Sequence, residues 1–167
     1  MATTNLPMNC IFPTGTTMEI YNVGGRSVNR YLLVSDSHRL LFDAGYPDSL
    51  HDLGREMRKT GFGVKDIDFV MVSHFHIDHA GALQEIKDAG AKFLLFDLQR
   101  KYIEPMEQMA QGKWKYTALR MEDNVVRQIA DARRLLASMH IPGTVLSTPG
   151  HTDDSISLLL DGGEAFT

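Results

Sequence analysis

The stretch SHFHIDHA, residues Ser73 to Ala80, decides how this sequence is interpreted. It places three histidines and one aspartate in the six residues from His74 to His79. Zinc binds neutral imidazole nitrogen at about 2.0 to 2.1 Å and carboxylate oxygen at a similar distance, so its ligands must converge. The preceding residues, Asp68 to Val72, have the apolar pattern of a buried strand. A loop that leaves a strand can bring such side chains together, and the stretch therefore predicts a metal site.

The spacing of these side chains suits two metal ions. His74 and His76 alternate, so that an extended backbone directs both at one ion. Asp78 and His79 come from the next turn and can reach a second ion. A catalytic site also needs a ligand from elsewhere in the chain and one open position for water. His151, which follows a proline and a glycine, is the candidate for that ligand.

The histidines could also be surface residues or ligands of a purely structural zinc site. A single histidine in a polar loop is usually a surface residue, and this interpretation is kept for His38, His51 and His140. Four of the seven histidines fall in the two candidate loops, and that clustering favours metal ligands. A purely structural zinc site normally fills four positions and relies on cysteine. The chain has one cysteine, Cys10, so a structural site is disfavoured.

Size and composition limit the classes of protein that fit. A chain of 167 residues with 43% hydrophobic content predicts one domain, over residues 1–167. A net charge of -4 offers no basic surface for a phosphate backbone, so nucleic-acid binding is disfavoured. The lone cysteine cannot form an internal disulfide, and neither a signal-peptide pattern nor a long apolar run is present. We therefore expect a cytoplasmic protein that acts on a small molecule and does not associate with a membrane.

The predicted elements alternate between strands and helices, which favours an α/β layered domain with a mixed sheet. Strands are predicted over Met18–Val23, Asn29–Val34, Arg39–Phe42, Asp68–Val72, Lys92–Phe96, Thr144–Leu146 and Ser155–Leu160. Amphipathic helices are predicted over Pro47–Gly61, Gly81–Ala89 and Glu122–Met139. The segment from Phe96 to Tyr116 receives no assignment, and its Met and aromatic residues are interpreted as packing in preference to a substrate lid.

Three motifs in order, LLFDAG, SHFHIDHAG and TPGHTDDSISL, resemble the metallo-β-lactamase-fold hydrolases. The resemblance covers the chain from Met18 onward and implies an αββα sandwich. It also implies that His74, His76 and His151 hold the first metal. By the same resemblance, Asp78 and His79 contribute to a second metal, and Asp78 orients the nucleophile.

The resemblance assigns Asp43 a supporting role, in which its carboxylate fixes the metal loop without binding the ion. An equally weighted alternative is a simple turn residue in the Asp-Ala-Gly sequence. The sequence departs from the family's pattern near Thr167. In the family a strand ends in a Gly-Asp pair whose aspartate bridges the two metals, but this sequence has no such pair, and Asp161 fits a hairpin turn. We therefore expect only the N-terminal portion of the fold, C-terminally truncated, with a weaker second site. A homodimer or a partner chain would complete such a fold.

The function that follows is a zinc-dependent hydrolase that uses a metal-bound hydroxide on a small acyl substrate, such as a lactone, thioester, lactam or ester. One or two zinc ions are expected, and iron or manganese is also compatible with these ligands. Ser73 lacks a G-x-S-x-G context, so a serine nucleophile is not needed. The alternatives are an inactive metal-binding or self-associating fragment, a phosphodiesterase, and an iron-dependent redox enzyme on the same fold.

Overall fold

A computed structural model describes residues 6–12, 15, 17–25 and 28–167 of the protein. Residues 1–5, part of the N-terminal stretch in which the sequence analysis found no signal-peptide pattern, lie outside the described residues. The described strands are β1 Met8–Ile11, β2 Thr17–Asn22, β3 Tyr31–Val34, β4 Arg39–Phe42, β5 Phe69–Met71, β6 Lys92–Phe96, β7 Val125–Arg127, β8 Gly143–Ser147, β9 Ile156–Leu160 and β10 Ala165–Phe166. The described α-helices are α1 Leu50–Arg58, α2 Ile77–Ala80, α3 Leu83–Asp88, α4 Ile103–Ala110 and α5 Ala132–Ser138.

The strands form two sheets. The larger sheet has seven strands in the order β1 to β7, of which β1 to β4 are antiparallel and β4 to β7 are parallel. The smaller sheet has three antiparallel strands in the order β10-β9-β8. Parallel neighbours require crossover connections, and the helices α1, α3 and α4 lie in those connections. No helix in the described part of the chain has both the length and the apolar character of a membrane span.

Two hydrophobic cores lie on opposite faces of the larger sheet. Alternate residues of β4 show the division, because Leu41 belongs to the core under the helices and Leu40 to the core under the smaller sheet. The first core receives Leu53 of α1 and Ile86 of α3. The second receives β8, β9, β10 and the buried side of α5, including Leu136. The predicted layered α/β fold with a mixed sheet is thus confirmed.

One predicted helix is wrong over its first half. The segment Glu122–Met139 starts with a turn at residues 122 and 123 and continues through strand β7 and a 3₁₀ helix at Ile129–Asp131. It becomes α-helical only at α5. The two adjacent β-branched residues, Val125 and Val126, pair in parallel with β6 and extend the sheet. Their spacing also fits a helical stripe, so the sequence pattern alone did not separate the two structures.

Other elements were missed or shortened. Strand β1 was not predicted, because its residues alternate weakly in polarity. The unassigned segment after β6 contains a 3₁₀ helix over Asp97–Tyr102 followed by α4. Within this segment Met106 is buried, whereas Met109 and Trp114 are exposed. The predicted packing role therefore holds for Met106 but not for the other two residues.

Candidate metal centre

The candidate ligands lie where two parallel strands end beside a loop of the smaller sheet. Strands β4 and β5 are parallel neighbours, so Asp43 and the loop that starts at Ser73 leave the same edge of the sheet. The loop between β8 and β9 carries His151. Its far end is fixed to the first loop, since the Ile156 amide donates a hydrogen bond to the Ser73 carbonyl at 2.8 Å. The fold thus brings three separate segments of the sequence together.

Three histidines converge at this point. One ring nitrogen from each of His74, His76 and His151 lies within 4.8 Å of the others, as in a cluster that can hold a metal ion. The closest pair is Nδ1 of His76 and Nε2 of His151, which are 3.1 Å apart. His51 and His140 are exposed and His38 is half-buried, all outside the cluster. The structure therefore brings together the three residues that the resemblance assigned to a first metal.

His74 provides the test of whether these residues fit a metal. Its side chain is buried, with only 6% of the residue exposed. Its Nδ1 contacts the Ser73 hydroxyl at 3.0 Å, but its Nε2 is buried without a hydrogen-bond partner. An unpaired buried nitrogen is costly unless something binds it. A metal ion among the three histidines would satisfy this atom, so the residues present fit the group.

The electrostatic environment keeps His74 neutral. Burial and, to a smaller extent, the neighbouring imidazoles of His79, His76 and His151 together lower the pKa of His74 to about 4. Imidazole must be neutral to bind a metal ion. The state in which His74 can act as a ligand is therefore the state present at neutral pH.

Asp43 fixes the orientation of the first loop. It lies at the end of β4 in a left-handed conformation, with φ of 69°, and is 2% exposed. One carboxylate oxygen, Oδ1, accepts the Ser73 amide at 2.7 Å. The other, Oδ2, accepts the Ser73 hydroxyl at 3.1 Å and Nδ1 of His79 at 2.8 Å. The supporting role expected for Asp43 thus has a matching geometry, which a simple turn residue would not need.

These hydrogen bonds assign the histidine tautomers. Because the Ser73 hydroxyl donates its one proton to Asp43, it must accept from Nδ1 of His74. The proton of His74 then sits on Nδ1 and the lone pair on Nε2. When its ring is neutral, His79 likewise donates its Nδ1 proton to Asp43, so that its lone pair is also on Nε2. A carboxylate that fixes the ring in this way is typical support for metal-binding histidine.

Asp78 and His79 form a neighbouring pair at the start of α2. The two are adjacent, with Oδ2 of Asp78 3.4 Å from Nε2 of His79, and the His79 ring centroid is 4.3 Å from that of His74. Burial opposes protonation of His79, but the hydrogen bond and charge of Asp43, together with Asp78, outweigh it and raise its pKa. These two side chains border the three-histidine cluster without joining it. A second metal held by this pair stays a prediction.

Sequence reasoning missed two buried residues beside the centre. Asp154 is 1% exposed, and its Oδ2 accepts the Phe75 amide at 2.7 Å. Gln99 is fully buried, and its Nε2 donates to the carbonyls of Val72 and Ser73 at 3.1 and 3.4 Å. Asp154 could have been noticed as an acidic residue three positions after His151. Nothing in the sequence around Gln99 indicates its position.

A cavity of about 540 Å³ opens beside the histidines. His74, His79 and His151 form part of its wall. The other lining residues are small hydroxyl-bearing side chains and one apolar residue, Ile156. None of the described residues that line it is a lysine or an arginine. Apart from the three histidines, the described lining therefore has no side chain that can carry a charge.

The chain is thus a layered α/β protein with a cluster of three histidines at the strand ends. Residues 23–92 match the sequence profile of the metallo-beta-lactamase superfamily. A probable metallo-hydrolase of Methanocaldococcus jannaschii is 25% identical over 138 residues, which is 82% of this chain and 64% of that protein. Ribonuclease Z of Thermobifida fusca is 39% identical over 69 residues, or 39% of this chain and 20% of that enzyme.

Solved structures give the same result for the fold. The metallo-beta-lactamase GOB-18 of Elizabethkingia meningoseptica superposes with a TM-score of 0.69 and 23% identity, covering 99% of this chain and 62% of that one. The chain therefore has the metallo-β-lactamase fold, and its residues 23–92 resemble a superfamily whose members are mostly metal-dependent hydrolases. It spans less than two thirds of the length of each of these relatives.

Proposed function

We propose that this chain is a zinc-dependent hydrolase of a small acyl substrate, with His74, His76 and His151 as the metal ligands. The observation that carries the proposal is the buried, unpaired Nε2 of His74, a residue whose ring converges with those of His76 and His151. A bound divalent ion would supply an acidified water and polarise the scissile bond. Zinc is preferred because imidazole suits it well, although iron and manganese accept the same ligands.

The remaining residues would prepare the site for that chemistry. Asp43 and Ser73 hold the ring of His74 with its lone pair toward the cluster. Asp78, at the first turn of α2, has a half-buried carboxylate beside His79. This carboxylate would orient the attacking water and accept its proton. His79 and Asp78 would also bind a second metal ion, more weakly than the three histidines bind the first ion.

The chemistry of the cavity favours a neutral acyl group over a phosphodiester. The described lining has hydroxyl groups but no lysine or arginine that would pair with a phosphate. A lactone, ester, thioester or lactam carbonyl needs a hydrogen-bond donor. The hydroxyls of Thr148 and Ser157 bond each other at 2.8 Å, which leaves one of their two protons free to be donated. A phosphodiesterase is the second candidate, because a ribonuclease Z is among the proteins that this chain resembles. We also expect a cytoplasmic location.

A substrate panel with matched variants tests the proposal. The zinc-loaded chain is assayed on esters, lactones, thioesters, lactams and a phosphodiester, beside His76→Ala and the control His51→Ala, whose histidine is exposed outside the cluster. We expect turnover of an acyl substrate that His76→Ala abolishes and His51→Ala leaves unchanged. Turnover that survives His76→Ala would contradict the mechanism. Phosphodiester cleavage alone would favour the second candidate. Bound zinc without turnover of any substrate would indicate a non-catalytic metal-binding fragment.

A further inference from the structure

The side chain of Asp154 connects the two loops that carry the candidate metal ligands. It belongs to the loop of His151, but its Oδ2 accepts the backbone amide of Phe75, the residue between His74 and His76, at 2.7 Å. The carboxylate is almost fully buried. A buried hydrogen bond to an ionised group is among the stronger ones that a protein makes.

Other polar contacts converge on the same junction. Gln99 donates from its Nε2 to the carbonyl of Asp154 and to that of Ser73, both at 3.4 Å. The Ile156 amide also reaches the Ser73 carbonyl, at 2.8 Å. The backbone contacts hold the loops side by side, but only the Asp154 side chain reaches the amide between two ligands.

We infer that Asp154 is a positioning residue of the metal centre, which sets the distance between His151 and the pair His74 and His76. The inference rests on the proposed function, because it assumes that these three residues bind an ion. His151 is exposed, and apart from the Asp154 bond its loop approaches residues 74–76 through the His151 ring alone, whose Nε2 is 3.1 Å from Nδ1 of His76 and whose centroid is 4.9 Å from that of His74. Without the Asp154 bond, the His151 ring would be free to move away from the other two nitrogens.

The reason for a metal-affinity effect is geometric. Tetrahedral zinc requires its ligands near 2.0 to 2.1 Å, so a ligand that is not held in place must be ordered when the ion binds. Residues that support ligands in this way typically change metal affinity by about 10- to 100-fold when they are removed. A merely structural role would instead lower the melting temperature and leave the zinc affinity of the folded protein unchanged.

The test measures the zinc dissociation constant of the full chain by competition with a chelator. We expect Asp154→Ala to weaken zinc binding by about 10- to 100-fold. Asp154→Asn retains an oxygen that can accept the Phe75 amide and should stay within about threefold of the unmodified chain. Asp153→Ala, an exposed neighbour in the same loop, is the matched control and should have no effect.

Unchanged zinc affinity in Asp154→Ala would overturn the inference, as would an equal loss in Asp153→Ala. If Asp154→Ala does not fold, Asp154→Ser, which keeps a hydroxyl in the buried site, takes its place. It is then expected to weaken zinc binding by the same factor of about 10 to 100. Zinc binding that is absent from the unmodified chain would overturn the metal centre itself, and this inference with it. Zinc binding that is normal in every variant would overturn only the role of Asp154.

Discussion

Replacing Asp43 by asparagine should weaken zinc binding by reversing the histidine tautomers. Asparagine tolerates the left-handed conformation with φ of 69°, so the backbone is not newly strained. Its amide oxygen can still accept the Ser73 amide in place of Oδ1. Its NH₂ group, however, takes the place of Oδ2, which accepts protons from Ser73 and His79. A donor there forces both partners to become acceptors.

The consequence reaches both rings. His79 must then carry its proton on Nε2. The Ser73 hydroxyl accepts from the new amide and donates to Nδ1 of His74, so the proton of the His74 ring also moves to Nε2. The lone pairs would no longer face the cluster. Loss of such support typically costs about 10- to 100-fold in metal affinity, or about 1.4 to 2.7 kcal/mol.

Competition with a zinc chelator measures this effect, with Asp36→Asn as the control. Asp36 makes the same kind of contact to a histidine, 2.7 Å from Nδ1 of His140, but on the exposed surface away from the cluster. We expect Asp36→Asn to bind zinc normally. A zinc affinity of Asp43→Asn within about twofold of the unmodified chain would refute the tautomer argument.

Three further predictions concern stability and association. A Cβ at Gly81 would overlap both Pro47 Cδ and the Ile77 carbonyl oxygen, so Gly81→Ala should lower the free energy of unfolding by about 1 to 3 kcal/mol in chemical denaturation. Gly25→Ala, where a Cβ would meet nothing, should not lower it, and equal stability of the two variants would contradict this packing. Burial, the Glu164 hydrogen bond and the Glu164 charge raise the pKa of Cys10 from 9.0 to about 11. Because the folded state favours the thiol, its stabilising contribution is full below pH 9 and is lost as pH rises to 11, so Cys10→Ser should show a flatter decline in unfolding free energy there; parallel curves would contradict it. The exposed Ile11 on edge strand β1 favours self-association, which Ile11→Lys should reduce in light scattering; a monodisperse monomer at micromolar concentration would count against this.

The sequence was sufficient to predict the strands that support the site. Strands β4, β5 and β6 have continuous apolar runs bounded by polar residues, and their predicted ranges agree with the structure to within a residue or two. The three-histidine cluster was also predictable, since one loop contains three histidines and an aspartate within six residues and His151 supplies a further histidine. In contrast, the start of the segment Glu122–Met139 depended on pairing with β6, which no local pattern contains.

The supporting residues were less accessible to sequence reasoning. Asp43 was placed by resemblance, and only the structure shows which proton each of its oxygens accepts. Asp154 and Gln99 act through contacts to backbone groups that are 79 and 26 or 27 positions away in the sequence. Such contacts carry no periodicity or motif, because any residue with a suitable acceptor or donor at that point in space could make them.

The most direct test of the metal centre is the zinc content of the purified chain, measured by elemental analysis beside the His76→Ala variant. His76 contributes one of the three converging ring nitrogens, and its Nδ1 lies 3.1 Å from Nε2 of His151. We predict about one tightly held zinc per chain, lost in His76→Ala while circular dichroism shows an unchanged fold. Absence of metal from the unmodified chain after incubation with zinc, or equal zinc in both proteins, would contradict the proposed centre.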